Sequence, residues 1–205
     1  MRNRVIMIAA ASCVAFTIAG CSSNTPAGNV TAPSPEKSSQ SASSLPTDGA
    51  PNVNNPIVNT AGVETDPCSA LTSAQIESFG GKVDRSRIDD LSLGKNCVWV
   101  YDNQYGSIGA GLVTGNKDGL SGIYYQNSHG GLTTFKPVPA IEGYPAVQYA
   151  NGGELDGECT LAVGIRNDLV YTVIPRLDTG NPRRSEACDI ATKVAQLAIK
   201  HLKET

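Results

Sequence analysis

Cysteine is the residue type with the clearest chemistry in this sequence. Ile18-Ala19-Gly20-Cys21 ends a short apolar run that begins at Val5, after two arginines. An aliphatic residue, two small residues and a cysteine form the bacterial lipobox, whose cysteine thiol receives diacylglycerol. The run is shorter than the roughly 20 residues that a membrane-spanning helix needs, and its flanks are those of a signal peptide. We therefore predict a lipoprotein signal peptide at residues 1–20 and lipidation at Cys21.

The alternative is a plain secreted protein in which a cysteine follows the cleavage site by chance, since Ala19-Gly20 also suits ordinary cleavage. The polar, breaker-rich chain after Cys21 favours the lipoprotein. Two acyl chains on Cys21, each stabilised by about 0.8 kcal/mol per buried CH₂, would hold the protein firmly on its membrane. We expect it on the extracytoplasmic face of the cell membrane, with the membrane itself as one partner.

Four further cysteines remain after Cys13 is removed with the signal peptide: Cys68, Cys97, Cys159 and Cys188. An even number in an exported chain indicates disulfides, and four cysteines allow three pairings. The local pairing is favoured, 68 with 97 and 159 with 188, because it joins each terminal helix to its nearest strand. A four-cysteine zinc site is the alternative, but no two of these residues have the close spacing of zinc ligands. We therefore predict no metal.

Catalytic chemistry has few candidates. His129-Gly130-Gly131 is like the oxyanion loop of lipase-type hydrolases, but the chain has no Gly-x-Ser-x-Gly elbow. Glu154, Asp156 and Glu158 are three acids at alternate positions, too few for a calcium loop. We predict no catalytic residue. Trp99, Tyr101, His129, Glu154 and Asp156 stay as candidates for ligand binding.

Charge and composition exclude some partners. Without Arg2 and Arg4 the chain has 14 basic and 19 acidic side chains, a formal charge of −5. No basic stripe accompanies this acidic balance, which argues against nucleic acid as a partner. The sequence has no phosphate-binding loop and no nucleotide fingerprint, so we expect no cofactor.

The chain divides into three parts. Residues 21–62 are rich in Ser, Thr, Pro and Asn and cannot bury enough apolar surface to fold, so we predict a lipidated, disordered tether. Residues 63–205 form a single globular extracytoplasmic domain. Thr72 and Gln75 form a capping box before a short helix, whereas Lys82–Lys95 is expected to be irregular. Strands alternate from Asn96 onwards.

The last helix carries the strongest pattern. Asn181-Pro182 predicts its start, and apolar residues recur from Ala187 to Leu202 at three- and four-residue steps. The predicted fold class is therefore α+β, an antiparallel sheet with a short N-terminal helix and a long C-terminal helix, stapled by two disulfides.

Several motifs together resemble the actinobacterial cell-envelope lipoprotein family catalogued as domain of unknown function 3558. They are the lipobox, Asp66-Pro67-Cys68 before a short helix, Cys97-Val98-Trp99, Cys159 in a strand and Cys188 in the final helix. The resemblance implies a lipid-anchored envelope protein with two disulfides from the high-GC Gram-positive lineage, and it implies no reaction. A looser likeness to two-disulfide sensor domains of mycobacterial receptor kinases favours binding.

We therefore expect a non-enzymatic binding or accessory module for a lipid, a glycan or a partner protein. The alternatives are a cell-wall-acting hydrolase, for which His129 and the acids at 154–158 are the candidates, and a structural envelope protein.

Overall fold

An antiparallel seven-stranded sheet forms the centre of the molecule in a computed structural model that describes residues 44–152 and 156–205. The spatial order of the strands is β1-β2-β3-β7-β6-β5-β4, and every neighbouring pair is antiparallel. The strands are β1 (Val83–Leu91), β2 (Gly94–Tyr101), β3 (Gly106–Leu112), β4 (Thr134–Ile141), β5 (Tyr144–Ala150), β6 (Leu161–Arg166) and β7 (Leu169–Leu177).

Four α-helices surround this sheet: α1 (Ala61–Thr65), α2 (Ser73–Gly80), α3 (Leu120–Ser128) and α4 (Ala187–Glu204). The predicted capping box starts α2, because Thr72 Oγ1 accepts from the Gln75 N–H while Gln75 Oε1 accepts from the Thr72 N–H. Two 3₁₀ turns, Pro67–Ala70 and Arg184–Glu186, complete the helical content of the described residues. The predicted α+β class with a short first helix and a long last helix is confirmed.

The main core lies between the sheet and α4. Alternate residues of the strands point to this side, so that Trp99, Tyr171 and Val173 meet the apolar stripe of α4. A second, smaller core lies on the opposite face, where Leu120 and Ile123 of α3 pack against Val147, Ala162 and Val170. The sheet is therefore the middle layer of three.

Two disulfides join the helical layer to the sheet. Cys68 of the first 3₁₀ turn is bonded to Cys97 of β2, with their Cα atoms 4.9 Å apart. Cys159, just before β6, is bonded to Cys188 of α4, with a Cα–Cα distance of 5.2 Å. Both predicted pairings are present.

The first strand was predicted as irregular chain, and this was wrong. Most residues of β1 are polar and exposed, so they give no apolar alternation. The segment is nevertheless a strand because it is the edge of the sheet, where backbone hydrogen bonds to β2 hold it without a buried face. The opposite edge is β4, whose Pro137 and Pro139 suit an edge position because proline cannot donate to a further strand.

The predicted tether is too long at its C-terminal end. Residues 44–60, here called the strap, run over the domain, and within them Val53 and Ile57 are only 7% and 6% exposed. The Ile57 N–H donates to the Ile165 carbonyl oxygen at 3.0 Å, and the Tyr144 hydroxyl donates to the Asn55 carbonyl oxygen. The folded part therefore begins before residue 63.

The long helix also starts later than Asn181-Pro182 indicated. Asn181 Oδ1 accepts from the Arg183 N–H and closes a turn, after which the second 3₁₀ turn leads into α4 at Ala187. Asn181 is buried, and its amide donates to the carbonyl oxygens of Gly80 and Tyr105. It therefore joins three segments instead of capping α4. Among the described residues, no helix has both the length and the apolar character needed to cross a membrane.

Candidate functional site

An open, polar cavity lies where the strap meets α3. Its volume is about 490 Å³, and it is bounded by two segments of the chain that are far apart in sequence, residues 47–48 and 116–126. The lining residues are Thr47, Asp48, Asn116, Asp118, Ser121, Gly122, Tyr125 and Gln126. Seven of these residues have a polar side-chain group, and Gly122 has no side chain. The cavity is therefore suited to a hydrophilic ligand.

The strap wall of the cavity is held by specific hydrogen bonds. The Thr47 N–H donates to the buried Ser121 hydroxyl at 2.9 Å, and the Thr47 hydroxyl donates to Asp48 Oδ2 at 2.8 Å. Further along, Asn167 Oδ1 accepts from the Val53 N–H at 2.8 Å. Thr47 and Asp48 are therefore placed by a local turn, in which the Ala50 N–H donates to the Thr47 carbonyl oxygen, and by contacts that hold this turn on the domain.

The α3 wall begins with a tight turn. Asn116 Oδ1 accepts from the Asp118 N–H at 2.7 Å, which fixes the turn before the helix. Gly119 then has φ +55°, and a Cβ atom there would collide with the Asn167 carbonyl oxygen, so glycine is required. The turn leaves the Asp118 carboxylate exposed at the cavity, with no hydrogen bond to any described residue.

Tyr125 supplies the only aromatic surface among the lining residues. The side chain is 50% exposed, and the His129 ring stacks on it with a centroid distance of 4.0 Å. His129 Nδ1 lies 2.9 Å from the Tyr125 carbonyl oxygen and 3.0 Å from the Ser128 hydroxyl, so the imidazole is fixed at the end of α3. His129 thus supports Tyr125 and does not itself line the cavity.

The cavity carries negative charge. Asp48 and Asp118 contribute carboxylates, Asn116 and Gln126 contribute amides, and no Lys, Arg or His is among the lining residues of this described region. Such a set disfavours phosphate and other anions. It offers acceptors and donors side by side, which suits neutral polar ligands with several hydroxyl groups.

A small apolar pocket adjoins the cavity behind α3. Its volume is about 90 Å³, and Asn116, Gly122 and Gln126 line both spaces. Its other lining residues are Leu93, Val113, Gly119, Ile123, Tyr149 and Val170. An edge-to-face contact between Tyr124 and Phe135, with ring centroids 4.9 Å apart, holds α3 against β4 beside it.

Two of the residues predicted to bind a ligand lie in the main core instead. Trp99 is 1% exposed and Tyr101 is 2% exposed, because both share the inward face of β2 with Cys97. The Tyr101 hydroxyl donates to the Ile76 carbonyl oxygen at 3.0 Å, and burial raises the pKa of this phenol far above its usual value against the opposing effect of Arg183. Neither ring is accessible to a ligand.

The acidic candidates do not join His129. Asp156 forms an ion pair with Arg184, and Glu158 forms one with Arg176 at 3.5 Å. Glu154 lies outside the described residues, as does Cys21 with the predicted signal peptide. Within residues 44–152 and 156–205, no three His, Cys, Asp or Glu side chains are grouped as metal ligands would be.

Sequence reasoning identified only His129 near this cavity. Asn116, Asp118 and Tyr125 looked like ordinary loop and helix residues, and Asp48 was assigned to the tether. A usable signal was Gly122, since a glycine inside a helix costs about 1 kcal/mol relative to alanine and no turn requires it there.

The family model described as protein of unknown function DUF3558 matches residues 16–201, which include both disulfides and all eight residues that line the cavity. No curated protein and no solved structure gives a significant match. The chain therefore belongs to the DUF3558 family of proteins of unknown function.

Proposed function

We propose that this protein is a lipid-anchored, extracytoplasmic binding module whose ligand is a neutral glycan held in the cavity between the strap and α3. The anchor is the diacylglyceryl group expected at Cys21 of the lipobox. The tether from Cys21 to the strap would hold the domain away from the membrane surface while confining it there. The proposal is for binding without catalysis.

The observation that carries the proposal is a half-exposed tyrosine beside unengaged carboxylate and amide groups. Tyr125, Asp118 and Gln126 line the same cavity, and the side chains of Asp118 and Gln126 form no hydrogen bond within the part of the chain that the structure describes. Ligand sites typically combine apolar contact surface with a few polar groups that fix orientation. These three side chains supply both.

Sugars match this combination. A pyranose ring has an apolar face of C–H groups that can lie on an aromatic ring, and its hydroxyls need both acceptors and donors. Asp48 and Asp118 accept hydrogen bonds, whereas Asn116 and Gln126 can donate and accept. The absence of a cation among the lining residues favours a neutral sugar over a sulfated or phosphorylated one.

The exposed carboxylates favour binding over hydrolysis. Glycoside hydrolysis uses one carboxylic acid that is kept protonated by a low-polarity environment. Asp48 and Asp118 are both exposed to solvent. His129 is fixed against Tyr125, and neither of the acids 156 and 158 hydrogen-bonds to it, so the hydrolase alternative has no assembled catalytic group among the described residues.

The test is a glycan array probed with the full-length protein purified in detergent. We expect retention of neutral oligosaccharides and little retention of sulfated or phosphorylated ones. Tyr125→Ala should reduce the affinity about tenfold, a change of about 1.4 kcal/mol. Tyr125→Phe is the matched control, because it keeps the ring and should keep most of the binding.

Two results would contradict the proposal. One is an array on which no neutral glycan is retained, and the other is retention that Tyr125→Ala leaves unchanged. Release of shorter sugars from a retained oligosaccharide would instead support the hydrolase alternative.

A further inference from the structure

We infer that the glycan is an N-acetylhexosamine oligosaccharide whose acetyl methyl group enters the apolar pocket behind α3. This inference rests on the proposed function, since it names the sugar class for the same cavity. The polar cavity would hold the pyranose ring, and the pocket would distinguish an acetamido group from a hydroxyl.

The two spaces adjoin at groups that match an acetamide. Asn116 and Gln126 stand at the junction, where both spaces share them, and each carries a primary amide. Asn116 Oδ1 is engaged by the Asp118 N–H, which leaves its Nδ2 to donate to an acetamide oxygen. The Gln126 amide oxygen can accept from the acetamide N–H.

The size and lining of the pocket fit a methyl group. Its 90 Å³ is small beside the 490 Å³ of the cavity, so it admits a short substituent and not an acyl chain. Val113, Ile123 and Val170 present only aliphatic surface to it. A hydroxyl group that faced this aliphatic surface would lose part of its hydrogen bonding to water, which costs free energy.

Gly122 keeps the junction open. A Cβ atom at this position would lie 3.3 Å from Asn116 Nδ2 and 3.3 Å from the Asp118 Cβ, and Gly122 lines both the cavity and the pocket. Alanine would also improve the intrinsic stability of α3, so the glycine is not explained by helix formation. The need to keep the junction open explains why residue 122 is a glycine.

The test is titration calorimetry of the full-length protein in detergent with chitotetraose and with cellotetraose. These two probes have the same linkage and length and differ in carrying an acetamido group or a hydroxyl at each C2. We expect chitotetraose to bind at least tenfold more tightly, because one well-placed methyl group discriminates by about this factor. Gly122→Ala should remove most of this preference, measured as the ratio of the two dissociation constants.

Gly62→Ala is the matched control, because Gly62 also lies in a helix and has no atom near its Cβ position. Val170→Ile, which adds one carbon to the pocket lining, is a second variant and should reduce the preference in the same direction. Thermal unfolding of each variant verifies that it is folded.

The outcomes separate this inference from the proposed function. Equal affinity for both probes would overturn the assignment of the pocket to an acetamido group, whereas the proposal of a glycan site would stand. Binding of neither probe, with other neutral glycans retained on the array, would also overturn it. A preference for chitotetraose that is unchanged in both Gly122→Ala and Val170→Ile would show that the pocket does not bind the acetyl group.

Discussion

Asn167 Oδ1 accepts a hydrogen bond of 2.8 Å from the Val53 backbone N–H across a sequence separation of 114 residues. The other end of the same amide donates to Asn52 Oδ1 at 2.8 Å and, at 3.4 Å, to the Leu45 carbonyl oxygen. One side chain in the β6–β7 turn thus holds three points of the strap. Since the strap supplies Thr47 and Asp48, Asn167 also determines one wall of the candidate site.

Asn167→Ala should therefore loosen the strap before it unfolds the domain. We expect the free energy of unfolding to fall by about 1–3 kcal/mol, since the substitution leaves a backbone N–H without its partner. Amide hydrogen exchange should become faster within residues 44–60 and stay unchanged in β6 and β7. Asp168→Ala is the control in the same turn. Asp168→Ala removes a partly exposed ion pair with Arg166, which is worth at most about 1 kcal/mol. If Asn167→Ala leaves amide exchange in the strap unchanged, Asn167 does not hold the strap.

The disulfides should contribute comparable amounts of stability. Each closes a loop of 29 residues, for which chain entropy gives roughly 3.5 kcal/mol. Replacing both cysteines of either pair with alanine should lower the free energy of unfolding in urea by a similar amount. If replacing one pair leaves the free energy of unfolding nearly unchanged, loop length does not determine the contribution of that disulfide.

Tyr171 carries a buried hydroxyl for which the described residues provide no hydrogen-bond partner. Tyr171→Phe should therefore raise the free energy of unfolding by about 1–3 kcal/mol, because it removes an unpaired polar group from the core. Tyr101→Phe is the matched comparison and should lower stability by about 1 kcal/mol, since it removes the bond to Ile76. Urea unfolding at neutral pH measures both, and a loss of stability in Tyr171→Phe would point to an unrecognised partner of that hydroxyl.

The same two tyrosines predict a loss of stability in alkali. Burial raises the pKa of Tyr101 and of Tyr171 well above the usual value near 10. Above pH 10 the unfolded chain releases these protons while the folded protein keeps them, so the unfolded state binds fewer protons and the free energy of unfolding falls as pH rises. Each tyrosine contributes about 1.4 kcal/mol per pH unit, and below pH 10 the contribution is constant.

Above pH 10, the two tyrosines together lower the free energy of unfolding with each pH unit. Tyr171→Phe should roughly halve this contribution of the pair. Urea unfolding between pH 8 and pH 11.5 measures the slope in both proteins. An identical slope in the variant would mean that Tyr171 titrates normally in the folded state.

The parts of the fold that the sequence predicted well are those with local or arithmetic signals. Thr72 and Gln75 form a capping box with neighbours three residues apart, and the stripe of α4 repeats over five turns. The cysteine pairs follow from an even number of cysteines and from the local pairing, which joins each terminal helix to its nearest strand. These signals need no knowledge of distant residues.

The failures have different physical causes. β1 has no apolar alternation and is a strand because β2, the next strand along the chain, pairs with it as a hairpin. The strap is ordered by partners that are distant in sequence, since Asn167 and Ile165 bond to it. Trp99 and Tyr101 are a different case. Their alternation with Cys97 already indicated the buried face, and that signal should have excluded them as ligand contacts.

The cavity itself could not be predicted because two segments that are far apart in sequence form it. Asp48, Asn116 and Tyr125 have no motif in common, and only the folded chain brings the strap over α3. The glycine inside α3 and His129 at the end of this helix were the local features that distinguish the region from ordinary packing.

The most direct test of the central claim is amide hydrogen exchange of the full-length protein in detergent, measured with and without chitotetraose or cellotetraose. If a neutral glycan occupies the cavity, at least one of these sugars should slow exchange in residues 45–50 and 116–126, and Tyr125→Ala should abolish that protection. Protection confined to another surface, or none with either sugar at millimolar concentration, would contradict the account.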